Sequence, residues 1–318
     1  MLGVRSAAVS YYEEPEEYAQ VIKGSATTRK QKEETSRITQ SLWSYLEVLK
    51  PRETILLTFI GTCAAIIAGG GHPPFNTLLL ASATVALGSA GCNGLTNYLD
   101  REVDARMQRT RDRAIPSGMI HPAEKTLPLT GGLTAIALIL AWVLHPLCFV
   151  SGLVGVIAAV VARKRWITHI LGGISGSAPV LVGWFAVNPV FNWTILLLVI
   201  LILVWVPIHV WSLMTAYRDD YLQAGVNMFP VSHCTLTVTR MLLALSVILF
   251  GVSLLLGHLA SLSKLYIAVA IIIGLTMIWV NWKLLGTDAK KTAWRVYKLS
   301  AYPYLGIIFL TICVDLWL

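Results

Sequence analysis

Nine apolar runs occupy most of the chain, at about 54–70, 76–99, 126–144, 147–162, 170–188, 193–217, 240–259, 265–285 and 301–317. Most approach the ~20 residues that a helix needs to cross a bilayer. They predict an all-α polytopic membrane protein, with about nine transmembrane helices forming one bundle over 51–318. Only 13% of the 318 residues are charged and 56% are hydrophobic, with a mean hydropathy of +0.67. Soluble domains carry about 25% charged residues, so a water-soluble globule is excluded, as are disulfide scaffolds, collagen and disordered chains. The five cysteines (Cys63, Cys92, Cys148, Cys234, Cys313) stand singly, with no CxxC pair and no zinc spacing, and read as small core residues.

A net charge of +8 raises the question of nucleic acid, and the positions of the charges answer it. The connections 71–75, 145–146 and 188–192 carry no Lys or Arg. The alternate ones hold Arg101, Arg106, Arg109, Arg111, Arg113 and Lys125, then Arg163, Lys164 and Arg165, then Lys290, Lys291, Arg295 and Lys298. The positive-inside rule turns this alternation into a topology: a lipid bilayer as partner, no nucleic acid, a multi-pass protein of the cytoplasmic membrane with its N-terminus in the cytoplasm. Residues 1–50 have no apolar h-region and read as a polar, partly disordered cytoplasmic tail, not a signal peptide. A surface helix is expected near 41–49, where Leu42, Leu46 and Leu49 fall on one stripe.

Two acidic stretches end membrane helices on the cytoplasmic side. In the first, Asn93, Asn97, Asp100, Asp104 and Arg111 lie within about 40° of a common direction at 100° per residue, while Glu102 points the opposite way. Two carboxylates one turn apart repel unless a cation lies between them. Their oxygens suit Mg²⁺, which binds through one or two carboxylates plus substrate phosphates; a solvated helix end with Asp–Arg pairs is the alternative. In the second stretch, Trp205, His209, Leu213, Ala216 and Asp220 share a stripe if Pro207 keeps the register. His209 reads either as a functional group or as a core histidine bonded near the carbonyl that Pro207 frees. Arg109, Arg113, Lys164 and Arg165 could clamp a diphosphate or serve topology and lipid headgroups.

These motifs resemble the UbiA superfamily of intramembrane prenyltransferases, whose first motif is NxxxDxxxD. Within it they are most similar to the protoheme IX farnesyltransferases, the heme O synthases. The resemblance rests on Asp100-Arg101-Glu102-Val103-Asp104 continuing to Arg113, on Gly172-Gly173, Gly176, Pro179 and Gly183-Trp184, and on Trp205-x-Pro207-x-His209-x-Trp211. Asp220-Tyr221-x-x-Ala224-Gly225-x-x-Met228-x-Pro230 completes it, so that it spans about 50–318. The chain departs from the pattern at Thr96, where the motif Asn falls, leaving Asn97 one place later as the substitute. It departs again at Asn227, in place of a proline, and near Thr168, in place of an Asn.

The resemblance implies a UbiA-type bundle whose central cavity opens to the cytoplasmic side, and an enzyme that transfers a farnesyl group from farnesyl diphosphate to heme b. Asp100, Asp104, Asp219 and Asp220 would hold Mg²⁺, and Asn97, Arg109, Arg113, Lys164, Arg165 and Arg218 would meet the diphosphate. Tyr98, Tyr217 and Tyr221 would line the path of the prenyl cation and tail. His209 and Trp211 would contact heme, His209 as iron ligand or proton acceptor. Asp100, Asp104, Asp220 and His209 form the expected catalytic set, and a downstream heme-modifying enzyme is an implied partner. Two other readings stay open: the same chemistry on a quinone precursor or chlorophyllide, and a transporter using the buried acids and histidine as an ion path. The clustering of acids at one membrane face speaks against transport.

Overall fold

The computed structural model describes residues 40–161, 168–286 and 289–317; the expectations for the tail before residue 40 and for Lys164 and Arg165 fall outside them. The chain divides into two units. In the first, the described residues 40–44 are helical, with the Ser44 hydroxyl donating to the Gln40 carbonyl. The second, Tyr45–Leu318, holds the bundle. Its helices are α1 (Pro51–Ala68), α2 (Phe75–Arg106), α3 (Leu127–Leu144), α4 (Pro146–Val161), α5 (Thr168–Val187) and α6 (Trp193–Ala216). The short α7 (Arg218–Gln223) follows, then α8 (Thr235–Leu259), α9 (Lys264–Lys283), α10 (Ala289–Leu299) and α11 (Leu305–Asp315). A π-helical segment, Ser300–Tyr304, joins α10 to α11. The described residues include no strand. Among the described residues, eight helical segments are long and apolar enough to cross a membrane, and Pro146–Val161 is a shorter apolar helix.

The distribution of side chains suits lipid. Ile55, Leu79, Ile139, Trp142, Ile272 and Trp279 are exposed on the outside, whereas Ser177, Ser212, Ser246 and Ser253 are buried within. Each of these four serine hydroxyls donates to a carbonyl of its own helix, as Ser246 does to Leu242 and Ser253 to Leu249, because an unpaired donor in hydrocarbon costs several kcal/mol, about 2–7 by transfer scales.

Packing follows a closed ring. Each of α1 to α6 touches the next, α6 packs on α8 and α10, α8 on α9, α9 on α11, and α11 returns to α1. The ring is pinched, because α1 also lies along α5. Glycine makes that pinch: a Cβ on Gly183 would overlap the Gly61 carbonyl, and one on Gly61 would crowd the Pro179 carbonyl. Small residues let membrane helices approach closely in this way. One lobe of the ring, α1–α5 with the inner face of α6, encloses a cavity; the other is filled by an apolar core around Ile202, Tyr266, Tyr304 and Phe309.

Two helices run further than the apolar runs suggest. α2 has 32 residues, about 48 Å at 1.5 Å per residue, so its final turns project beyond a hydrocarbon core of ~30 Å. Residues 290–298, read from charge as part of a connection, form α10. Lys290, Lys291, Arg295 and Lys298 fall on one helical face, and Thr292, Ala293 and Val296 are buried on the other.

Candidate functional site

The cavity has a volume of ≈ 440 Å³, within the range of ligand pockets. Its walls are mostly apolar, with Val85, Ala137, Leu138, Val156, Pro179 and Val182 among them. Polar groups gather where α2 leaves the bundle: Asn93, Thr96 and Asp100 from α2, Lys50 from the turn before α1, and Tyr221 from α7. An apolar chamber with one polar mouth can hold a hydrocarbon chain whose head is charged.

The helical phase read from the sequence holds along α2. Asp100 and Asp104 are only 8% and 5% exposed, whereas the Glu102 side chain is 81% exposed. Asp104 receives Arg113 Nη1 at 3.4 Å on Oδ2, and its backbone carbonyl accepts the Thr110 hydroxyl at 3.0 Å. The chain thus folds back after Arg106 and returns a cation to the acid pair. Asp220 braces this return: Oδ1 accepts the Gln108 N–H at 2.6 Å and Oδ2 the Arg109 N–H at 3.2 Å. Asp220 itself is held at the start of α7, a helix closed by Gly225 at φ +78°, with the Gly225 N–H on the Leu222 carbonyl.

Arg109 completes the cluster. Its guanidinium lies 5.5 Å from the Tyr217 ring centroid, and its buried Nε has no hydrogen-bond partner. A buried donor on a permanent cation calls for an anion. Burial pushes the pKa of the Tyr221 phenol above its ordinary value; the Arg109 cation opposes that shift and the Asp104 carboxylate adds to it. Asp104, Arg109, Arg113, Asp220 and Tyr221 therefore share one site, with Asp100 at the cavity mouth. Among the described residues, no group of three His, Cys, Asp or Glu side chains converges to hold a metal ion. Mg²⁺ does not require such a group, since it takes one or two carboxylates plus phosphate oxygens and water. The buried Asp100 and Asp104 and the unmatched Arg109 donor suit an ion that arrives with a diphosphate.

Other expected residues lie elsewhere. The Asn97 amide donates to the Val48 carbonyl at 2.7 Å, tying down the segment before α1, and Thr96 lines the cavity in its place. One residue along a helix is a 100° rotation, which turns Asn97 off the cavity face. The Tyr98 hydroxyl meets Glu124 at 3.1 Å, with Arg101 over its ring at 4.3 Å, so Tyr98 stands outside the cavity. Asp219 is exposed, and Arg218 donates to Thr235 at 3.2 Å. Trp211 donates to His169 Nδ1 at 2.9 Å and packs on Phe229. His209 faces α10, stacked between Trp205 and Tyr297 with Nδ1 at 3.1 Å from the Ser300 hydroxyl. Sequence reasoning missed Lys50, Tyr297 and Ser300; Lys50 alone left a signal, as a cation directly before a helix-starting proline.

A chain of ring contacts links the two regions. Arg109 lies over Tyr217, Tyr217 meets Trp294 edge to face at 5.7 Å, and Trp294 stacks on Tyr297 at 5.0 Å. Tyr297 stacks in turn on His209 at 4.7 Å.

The model of the UbiA prenyltransferase family matches residues 55–302. The protoheme IX farnesyltransferase of Desulforudis audaxviator is 33% identical over 282 residues, 86% of this chain and 89% of that protein. Protoheme IX farnesyltransferase 1 of Picrophilus torridus is 35% identical over 283 residues, 86% of this chain and 94% of that one. Among solved structures, a digeranylgeranylglyceryl phosphate synthase superposes with a TM-score of 0.71 at 18% identity, covering 87% of this chain and 98% of that one. A UbiA homologue from Archaeoglobus fulgidus bound to GPP and Mg²⁺ superposes with a TM-score of 0.60 at 14% identity, over 85% and 99%.

Proposed function

The chain belongs to the UbiA prenyltransferase family, and from that premise we propose that it transfers the farnesyl group of farnesyl diphosphate to a vinyl group of heme b, giving heme O and diphosphate. The observation that carries the transfer chemistry is the pair of buried carboxylates, Asp100 and Asp104, at the mouth of an apolar cavity beside two arginines. The choice of heme b as acceptor is supported by the relatives at 33% and 35% identity, whose name is protoheme IX farnesyltransferase.

On this reading Asp100 and Asp104 hold Mg²⁺, and Asp220 keeps the 107–113 return in place. When bound, Mg²⁺ neutralises the negative charge that grows on the departing diphosphate. Arg109 and Arg113 do the same through preformed donors, which need no reorganisation as the bond breaks. The cavity walls take the farnesyl tail and keep water from the allylic cation, and the Tyr217 and Tyr221 rings lie beside the arginines where that cation forms. The heme vinyl group attacks the allylic cation, which moves the positive charge to the porphyrin-side carbon; water then adds to that carbon and releases a proton to solvent, leaving a hydroxyethylfarnesyl group. His209, on the far side of α6, meets heme. On this reading the mouth faces the cytoplasm from the cytoplasmic membrane and the N-terminus lies on that side, an orientation that the alternation of basic connections supports.

The test is mass spectrometry of the porphyrin products after incubating the purified protein with heme b, farnesyl diphosphate and Mg²⁺, beside an Asp100→Asn control. A hydroxyethylfarnesyl adduct made only by the unaltered protein is expected. Release of diphosphate only with a quinone precursor or chlorophyllide would overturn the choice of acceptor while keeping the family chemistry.

A further inference from the structure

Ser300 opens the π-helical segment between α10 and α11 and is fully buried. Three groups converge on it. Its backbone carbonyl accepts the Trp205 indole N–H at 2.7 Å, its hydroxyl donates to the Tyr297 carbonyl at 2.9 Å, and the same hydroxyl oxygen lies 3.1 Å from His209 Nδ1. A serine hydroxyl has one proton and two lone pairs. With that proton committed to the Tyr297 carbonyl, the oxygen can only accept from the imidazole. This assigns the tautomer from the hydrogen-bond network: Nδ1 carries the proton and Nε2 carries a lone pair.

The ring is also held in orientation. Trp205 stacks on one face with centroids 4.9 Å apart and planes at 11°, and Tyr297 covers the other at 4.7 Å and 26°. No described residue hydrogen-bonds Nε2, although the ring is fixed on three sides and His209 is only partly buried. A histidine whose one nitrogen donates to a fixed oxygen while the other is left open has the arrangement of a metal ligand with its outer support. A general base would need a partner for the charge it acquires, and the groups around this ring are a hydroxyl and two aromatic faces. Interruptions of the α-helical ladder by π turns are frequent at functional sites.

We propose that Ser300 is a positioning residue, which locks His209 in the Nδ1–H form and so presents the Nε2 lone pair to the iron of heme b. This rests on the reading that His209 meets heme. The experiment titrates the full-length protein in detergent with ferric heme b and follows the Soret and visible bands, for the unaltered chain, Ser300→Ala and His209→Ala. Farnesyl diphosphate binding is measured in parallel for each. The unaltered protein is expected to show imidazole-ligated bands that His209→Ala abolishes. Ser300→Ala is expected to bind heme about tenfold more weakly, the upper end for a lost hydrogen bond, with a mixture of ligated and unligated bands and unchanged farnesyl diphosphate binding. Unaltered bands and affinity in Ser300→Ala, with the bands lost in His209→Ala, would overturn the role of Ser300. Unaltered bands in His209→Ala would instead overturn the reading that His209 ligates heme. Loss of farnesyl diphosphate binding in Ser300→Ala would assign the residue to the stability of the helix junction and overturn the proposal.

Discussion

Asp100, Asp104 and Asp220 are all acidic and all at most 9% exposed, yet their surroundings give them different work. Asp100 looks into the cavity mouth, Asp104 answers Arg113, and Asp220 spends both oxygens on the backbone of Gln108 and Arg109. Neutralising either of the first two removes charge that the metal–diphosphate head needs. Asp100→Asn and Asp104→Asn should each lower turnover by at least about 100-fold, the scale of one lost electrostatic stabiliser, without lowering the unfolding temperature in detergent. Asp220→Asn should differ in kind. An amide can accept from one of the two N–H groups but meets the other with its own NH₂, and bonds to a charged partner are worth about 1.5–3 kcal/mol each. Limited proteolysis should therefore cut the 107–118 segment faster in Asp220→Asn, and not in Asp100→Asn. Glu102→Gln should leave turnover unchanged in the same product assay, because that side chain faces away from the site. The alternation of Asp100 and Glu102 was legible in the sequence, since both lie within one helix of regular phase. Asp220 was legible as an acid but not as a brace, because its partners are 111 and 112 residues away.

At the scale of elements, the length of α2 places the chemistry. Its apolar part ends near Leu99 and its helix does not, so two further turns carry acids out to the membrane face with the same rigidity as the buried turns. The pinch between α1 and α5 depends on glycine at the crossing, which the run Gly172 to Trp184 hinted at without showing the partner. Gly183→Ala forces a methyl group onto the Gly61 carbonyl. Overpacking of this sort costs about 1–3 kcal/mol, so the variant should unfold at a lower temperature in detergent, and farnesyl diphosphate binding should weaken as the cavity lobe shifts. Apolar run length does not reveal that 290–298 is helical, because an amphipathic helix with four cations on one face has no such run.

The unit Tyr45–Leu318 is a ring of helices folded into two lobes, with a hydrocarbon-lined chamber in one and a stacked histidine in the other, connected by α6 and by the ring contacts from Arg109 to His209. The two lobes should lose ligands separately. Chelation of Mg²⁺ should abolish turnover in the product assay and farnesyl diphosphate binding with it, leaving heme binding intact, and added Mg²⁺ should restore both. From the sequence alone came the all-α membrane architecture, its approximate number of apolar helices, the two acidic helix ends and the family resemblance. These are local quantities: apolar run length, charge and helical phase are written in consecutive residues. Only the tertiary structure decided that Thr96 and not Asn97 faces the cavity, that Trp211 turns to His169, and that His209 is oriented by a serine 91 residues away. The direction a helix face takes is set by which neighbour buries it, and neighbours distant in the chain meet only when the ring closes.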